Sequence, residues 1–159
     1  MRFEVSEQQF AMDKESRYRE MLSAIAAITE KETNIIANLA NITAVIKEFF
    51  GFLWVGFYFV ENGELILGVF QGPPACTRIA YGKGVCGKAW EEQRTIIVAD
   101  VEKFPGHIAC SSKSKSEIVV PVFKDGKITM LLDIDSDKLN TFDDIDRQYL
   151  EELVKIIIE

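Results

Sequence analysis

The sequence has no uninterrupted apolar stretch of the ~20 residues that a bilayer-spanning helix needs. Its opening, MRFEVSEQQFAMDKESRYRE, contains no apolar run of the kind that directs secretion. The expectation is a cytoplasmic protein without membrane attachment. Positive charge is also in deficit: 18 basic against 25 acidic residues leave a net charge of -7, which disfavours phosphate backbones and anionic lipid surfaces. Nucleic acid is therefore not an expected partner. Histidine is nearly missing, so His107 is the sole candidate for an imidazole base or ligand. Cysteine is scarce and odd in number, at Cys76, Cys86 and Cys110; a purely structural disulfide framework fits poorly, and reduced thiols are the default. Internal repeats, low-complexity segments and interdomain linkers are absent as well.

What remains is one ordinary domain's worth of material: 159 residues, 48% of them hydrophobic, enough to bury a core without staples. Residues 1 to about 11 form an arm or a frayed segment with no legible role. From about 14 to 28, Tyr18, Met21, Leu22, Ile25 and Ile28 recur at helical spacing. A second helix over 32–50 carries the stripe Ile35, Ile36, Leu39, Ile42, Val45, Ile46 and Phe49. After Gly51 the period changes. FLWVGFYFV and LILGVF flank Asn62-Gly63, and EIVVPVF and KITMLLDID flank Asp125-Gly126, which predicts two hairpins. A glycine turn leads into a short helix reaching about Gln93, and residues 95–98 read as a short strand. Between Asp100 and Ser116 periodicity lapses, and a loop of that length is more often functional than idle. Thr141 and Asp144 read as a capping box for a last helix over about 142–158, with Ile145, Tyr149, Leu150 and Leu153 inward, joined by Ile156 or Ile157. Hairpins with helices at both ends predict an α+β domain, an antiparallel sheet with helices packed on it.

Alternation places Asp133 and Asp135 on one face of their strand, with Leu132 and Ile134 on the other. Glu117 opens the neighbouring strand near the same end of the ladder, so three carboxylates converge. Such crowding raises the proton affinity of at least one of them, which supplies a general acid, while the remaining charge suits an ammonium group. Calcium or magnesium is a competing use of these oxygens, ranked lower because Asp133-Ile134-Asp135 lacks the rest of an EF-hand loop. For the cysteines, burial as inert hydrophobes, zinc ligation and redox chemistry all compete. Zinc would need Cys76, Cys86, Cys110 and His107 together, and no Cys-x-x-Cys or similar spacing supports it; no metal is expected. Lys113 and Lys115 follow Cys110 closely and favour a thiolate there, which tips the balance to redox.

PACTRIAYGKGVCGKAW, FPGHIACSSKSKSEIVVP and LLDIDSD together resemble the free methionine-R-sulfoxide reductases, enzymes of the GAF fold. The cysteine spacings of ten and twenty-four residues match the family pattern, and the likeness runs from about 50 to 157. The resemblance implies a single GAF domain over 1–159 that reduces free L-methionine-(R)-S-oxide. It makes Cys110 the nucleophile, Cys76 the resolving cysteine, and Cys86 an auxiliary or alternative resolving thiol. Glu117, Asp133 and Asp135 match the acidic residues that bind substrate and assist the sulfoxide oxygen; Trp54 and Tyr58 match aromatics lining the pocket, Trp54 against the S-methyl group. Thioredoxin is the implied reductant, without a prosthetic cofactor. A homodimer through an exposed N-terminal helix is compatible with the pattern. The chain departs from the family at Ala80, Ser111 and Asp137, none of them at an implied catalytic position. The competing expectation is a GAF module that binds a small molecule or senses redox state without turnover.

Overall fold

The computed structural model describes residues 12–108 and 110–158. The expected N-terminal arm lies outside them. Helix α1, Lys14–Thr29, starts where the Asp13 side chain accepts from Ser16 N at 2.8 Å. Helix α2, Ile35–Phe50, starts at Asn34, whose side chain accepts from Ala37 N, and closes where Gly51 N donates to Lys47 O at 2.7 Å. Leu39 is its first buried residue. Ile35 and Ile36, expected within the apolar stripe, lie in the first turn and are exposed.

Strands β1 (Trp54–Glu61) and β2 (Glu64–Gln71) form the first hairpin, and β5 (Ser116–Lys124) and β6 (Lys127–Ser136) the second. Both turns have positive φ at each central residue: Asn62 and Gly63 at 52° and 80°, Asp125 and Gly126 at 53° and 76°. That conformation matches the twist of paired strands and explains why Asn-Gly and Asp-Gly serve there. Between the hairpins lie β3 (Arg78–Ala80), helix α3 (Gly84–Glu92), β4 (Ile96–Val98) and one 3-10 turn, Val101–Lys103. The six strands form one antiparallel sheet in the order β3-β2-β1-β6-β5-β4.

Helix α4, Asp144–Ile158, closes the described chain. Its cap is not the expected Thr141–Asp144 pair. Asp143 accepts from Ile145 N and Asp146 N, and Asp143 N donates back to the Asp146 side chain at 2.8 Å. The box is shifted by two residues because Thr141 is already bonded to Ser136 and Lys138. The shift also turns Ile145 outward, whereas Tyr149, Leu150, Leu153 and Val154 are buried. Asp146 further receives Tyr18 OH and Lys14 Nζ, which fastens α1 to α4.

Alternation along the strands creates two cores. Val55, Phe57, Ile118, Val120, Leu132 and Ile134 face α2 and α4, with α1 packed behind them. Trp54, Tyr58, Val119 and Leu131 face the other way, towards α3 and the loops beside it. Helix α3 comes close because Gly87 has no side chain: a Cβ there would lie 2.8 Å from Ala80 O and 3.1 Å from Gly82 N. Gly87→Ala is therefore expected to lift α3 off the turn and lower stability by about 1–3 kcal/mol. Chemical denaturation checks this; an unchanged midpoint would show that the contact yields freely. No helix among the described residues is long and apolar enough to cross a membrane.

Candidate active site

The second face of the sheet carries the candidate site because register brings the right residues into line. Trp54, Asp135 and Glu117 lie side by side across β1, β6 and β5, and Gly56, Asp133 and Val119 form the next row. Gly56 opposes Asp133 with no side chain, and the Trp54 indole fills that space. A Cβ on Gly56 would stand 2.4 Å from Trp54 Cη2. Trp54 also stacks on Phe70, with ring centroids 5.2 Å apart.

An open-mouthed cavity lies over these rows. Every residue expected at the site except Cys76 lines it: Trp54, Tyr58, Cys86, Cys110, Glu117, Asp133 and Asp135. Cys76 sits just behind, disulfide-bonded to Cys110 with Cα atoms 5.7 Å apart. Its segment is pinned from below. Trp54 Nε1 donates to Pro73 O at 3.0 Å and Tyr58 OH donates to Cys76 O at 2.8 Å, so the two aromatics position the cysteine strap as well as wall the cavity.

The electrostatics follow from burying three acids together. Glu117 and Asp133 are each 6% exposed. Burial first, then the charges of Asp133 and Asp135, raises the Glu117 pKa well above the usual carboxylate range. Asp135 is raised too, by burial and by Asp133, against a hydrogen bond donated by Ser114 Oγ at 2.8 Å. Asp133 is also raised by burial, opposed by hydrogen bonds from Glu117 and Cys86. Their shared burial thus favours protons on this group of carboxyls. Asp133 Oδ1 is buried with no hydrogen-bond partner among the described residues.

Cys86 is the free cysteine and is buried in the first turn of α3. Desolvation, followed by the charges of Asp133 and Glu117, pushes its thiol pKa well up, so it stays protonated and serves as a donor to Asp133. A helix N-terminus would favour thiolate, yet burial beside carboxylates wins. His107, the sole candidate imidazole, lines the cavity; its Nε2 lies 3.9 Å from Glu117 Oε2, too far for a hydrogen bond. Burial lowers its pKa and keeps it neutral. Ser114 was missed altogether, and nothing in its sequence context distinguishes it. Lys113 and Lys115 are exposed and do not line the cavity.

Residues 32–157 match the GAF domain family. The chain is 59% identical to GAF domain-containing protein A of Dictyostelium discoideum, over 91% of this chain and 92% of that one. It is 41% identical to the free methionine-R-sulfoxide reductase of Saccharomyces cerevisiae, over 92% and 86% of the two chains. Among solved structures, the free methionine-R-sulfoxide reductase from Neisseria meningitidis, in complex with its substrate, superposes with a TM-score of 0.91. That match is 52% identical and covers 99% of this chain and 92% of the other.

Proposed function

The chain belongs to the GAF domain family, and from that premise we propose that it is an oxidoreductase that reduces free methionine-(R)-sulfoxide to methionine, like its relatives of that name. The observation that carries the proposal is that Cys110, bonded to Cys76, lines the same cavity as the buried Glu117, Asp133 and Asp135.

A free amino acid differs from a peptide-bound methionine in its ammonium group, and the carboxylates of Asp133 and Asp135 are the partners for it. The first-turn N–H groups of α3, at Gly84, Val85 and Cys86, border the cavity with no side-chain cap, and suit the substrate carboxylate. Trp54 offers an apolar wall to the S-methyl group. Sulfoxide oxygen leaves poorly until protonated, and burial, which raises the Glu117 pKa well above the usual carboxylate range, makes Glu117 the candidate proton donor.

The cycle then balances without a prosthetic group. The Cys110 sulfur attacks the sulfoxide sulfur, the oxygen passes to Cys110 as sulfenic acid, and methionine leaves. The Cys76 thiol attacks the sulfenic sulfur, forming the disulfide and releasing water. A thioredoxin dithiol reduces that disulfide and is itself oxidised. Such recycling belongs to a reducing compartment, which agrees with a cytoplasmic location.

The first test is methionine release from the separate R and S epimers of free methionine sulfoxide, with dithiothreitol and then thioredoxin as reductant. Turnover of R alone is expected. Release from neither epimer, with all thiols reduced, would leave a GAF module that binds a small molecule without turnover. A second test addresses the resolving step. Cys76→Ser should release one methionine per chain and then stall with thioredoxin, because Cys86 is buried and protonated; Cys86→Ser should keep cycling. Rapid quenching with mass analysis of the thiols checks both, and sustained thioredoxin-driven turnover by Cys76→Ser would move the resolving role to Cys86.

A further inference from the structure

We infer that the floor of the cavity is also a binding site for a thiophilic divalent cation, zinc foremost, held by Cys86 Sγ and the carboxylates of Glu117 and Asp133. One ligand atom from each lies within 4.8 Å of the other two, and all three residues are buried. Four-coordinate zinc, with bonds of about 2.0–2.3 Å, sets its donors roughly 3–4 Å apart, so small side-chain rotations close the set. A separate observation points to a ligand there: Asp133 Oδ1 is buried and unpartnered among the described residues. A buried acceptor left unpaired is destabilising, and a cation would supply the missing partner. The chain supplies these three donors, and a water completes the four-coordinate shell.

This set is not the one spacing arguments would assemble. Two of the three cysteines are bonded to each other, and the donors come from α3, β5 and β6. One thiolate and two carboxylates suit zinc or cobalt, whereas calcium and magnesium prefer all-oxygen shells of six or more. Binding releases to solvent the Cys86 thiol proton and any proton held on the two carboxyls, and nothing is oxidised or reduced. The consequence rests on the function proposed above: the cation takes oxygens that substrate ammonium needs, so zinc and free methionine sulfoxide exclude each other.

The test titrates cobalt(II) alone into the disulfide-bonded protein, in which Cys86 is the one remaining thiol. Thiolate-to-cobalt charge-transfer absorption saturating at one ion per chain, and bleached by zinc, is the expected result. Cys86→Ser should abolish the band. Asp133→Asn should retain it with at least tenfold weaker binding, a result that an unfolded variant could not give. No band in the wild-type chain, or equal affinity in Asp133→Asn, would overturn the site. Free methionine sulfoxide should raise the apparent Kd for cobalt. A band at full affinity that ignores methionine sulfoxide would uphold the metal site and sink the substrate assignment, so the two ideas fail separately.

Discussion

Cys110→Ser is expected to lower methionine release from free methionine-(R)-sulfoxide by on the order of 10⁴-fold or more, with substrate binding retained. The proposed reaction needs a soft sulfur that can accept oxygen and later surrender it to a second thiol. A serine hydroxyl is a weak nucleophile at its own pKa and cannot take the sulfoxide oxygen into a sulfenic acid. Cys110 borders the carboxylates, whereas Cys76 stands behind it, so the substitution removes attack and not only resolution. The same carboxylates disfavour a free Cys110 thiolate. Substrate ammonium cancels part of that charge, which makes Cys110 most reactive in the complex. Single-turnover release, measured beside calorimetric binding of methionine sulfoxide, separates chemistry from affinity. Full yield from Cys110→Ser would transfer the nucleophile's role to another sulfur, with Cys86 next in line.

Much of this arrangement is legible in the residues, and what is not has identifiable causes. Alternation alone puts Asp133 and Asp135 opposite Leu132 and Ile134, and the two turn dipeptides define the hairpins. Glu117 is the instructive case. Counting straight back from the Asp125-Gly126 turn, at which Lys124 pairs with Lys127, would set Glu117 against Ile134 and aim it into the helix-packed core. A one-residue irregularity between Val122 and Phe123 shifts the ladder, so Glu117 meets Asp135 instead. The convergence of three carboxyls therefore depends on a bulge that no residue pattern announces. Strand β3 is three residues long, with Ile79 alone turned inward, too short to show a period. The Cys76–Cys110 bond spans 34 residues; spacing left the pairing open, and only the family resemblance implied it.

Asp133→Asn carries the other large expectation, in which function and stability move in opposite directions. Activity should fall about 10²–10³-fold in kcat/KM, roughly 3–4 kcal/mol of transition-state stabilisation. Stability near neutrality should rise. The folded chain raises the pKa of Asp133, Glu117 and Asp135 by burying them together, so above the ordinary carboxylate range it holds more protons than the unfolded chain until pH passes their elevated values. Raised carboxylates favour the fold fully below the ordinary carboxylate range, and that contribution is lost as pH climbs through their elevated values. An asparagine removes one of the three buried ionisable carboxyls while its amide oxygen can still accept from Glu117. The variant should match wild type at about pH 4 and exceed it by about 1–3 kcal/mol at about pH 8. For a chain of this size that is roughly 3–10 °C in Tm. Paired thermal melts across that range, both proteins in the disulfide-bonded form, give the comparison. A stability difference that is negative, or independent of pH, would mean that Asp133 is held for packing rather than strained for substrate. A gap that widens with pH while activity collapses would identify the triad as a site where stability is given up for an ammonium-binding floor.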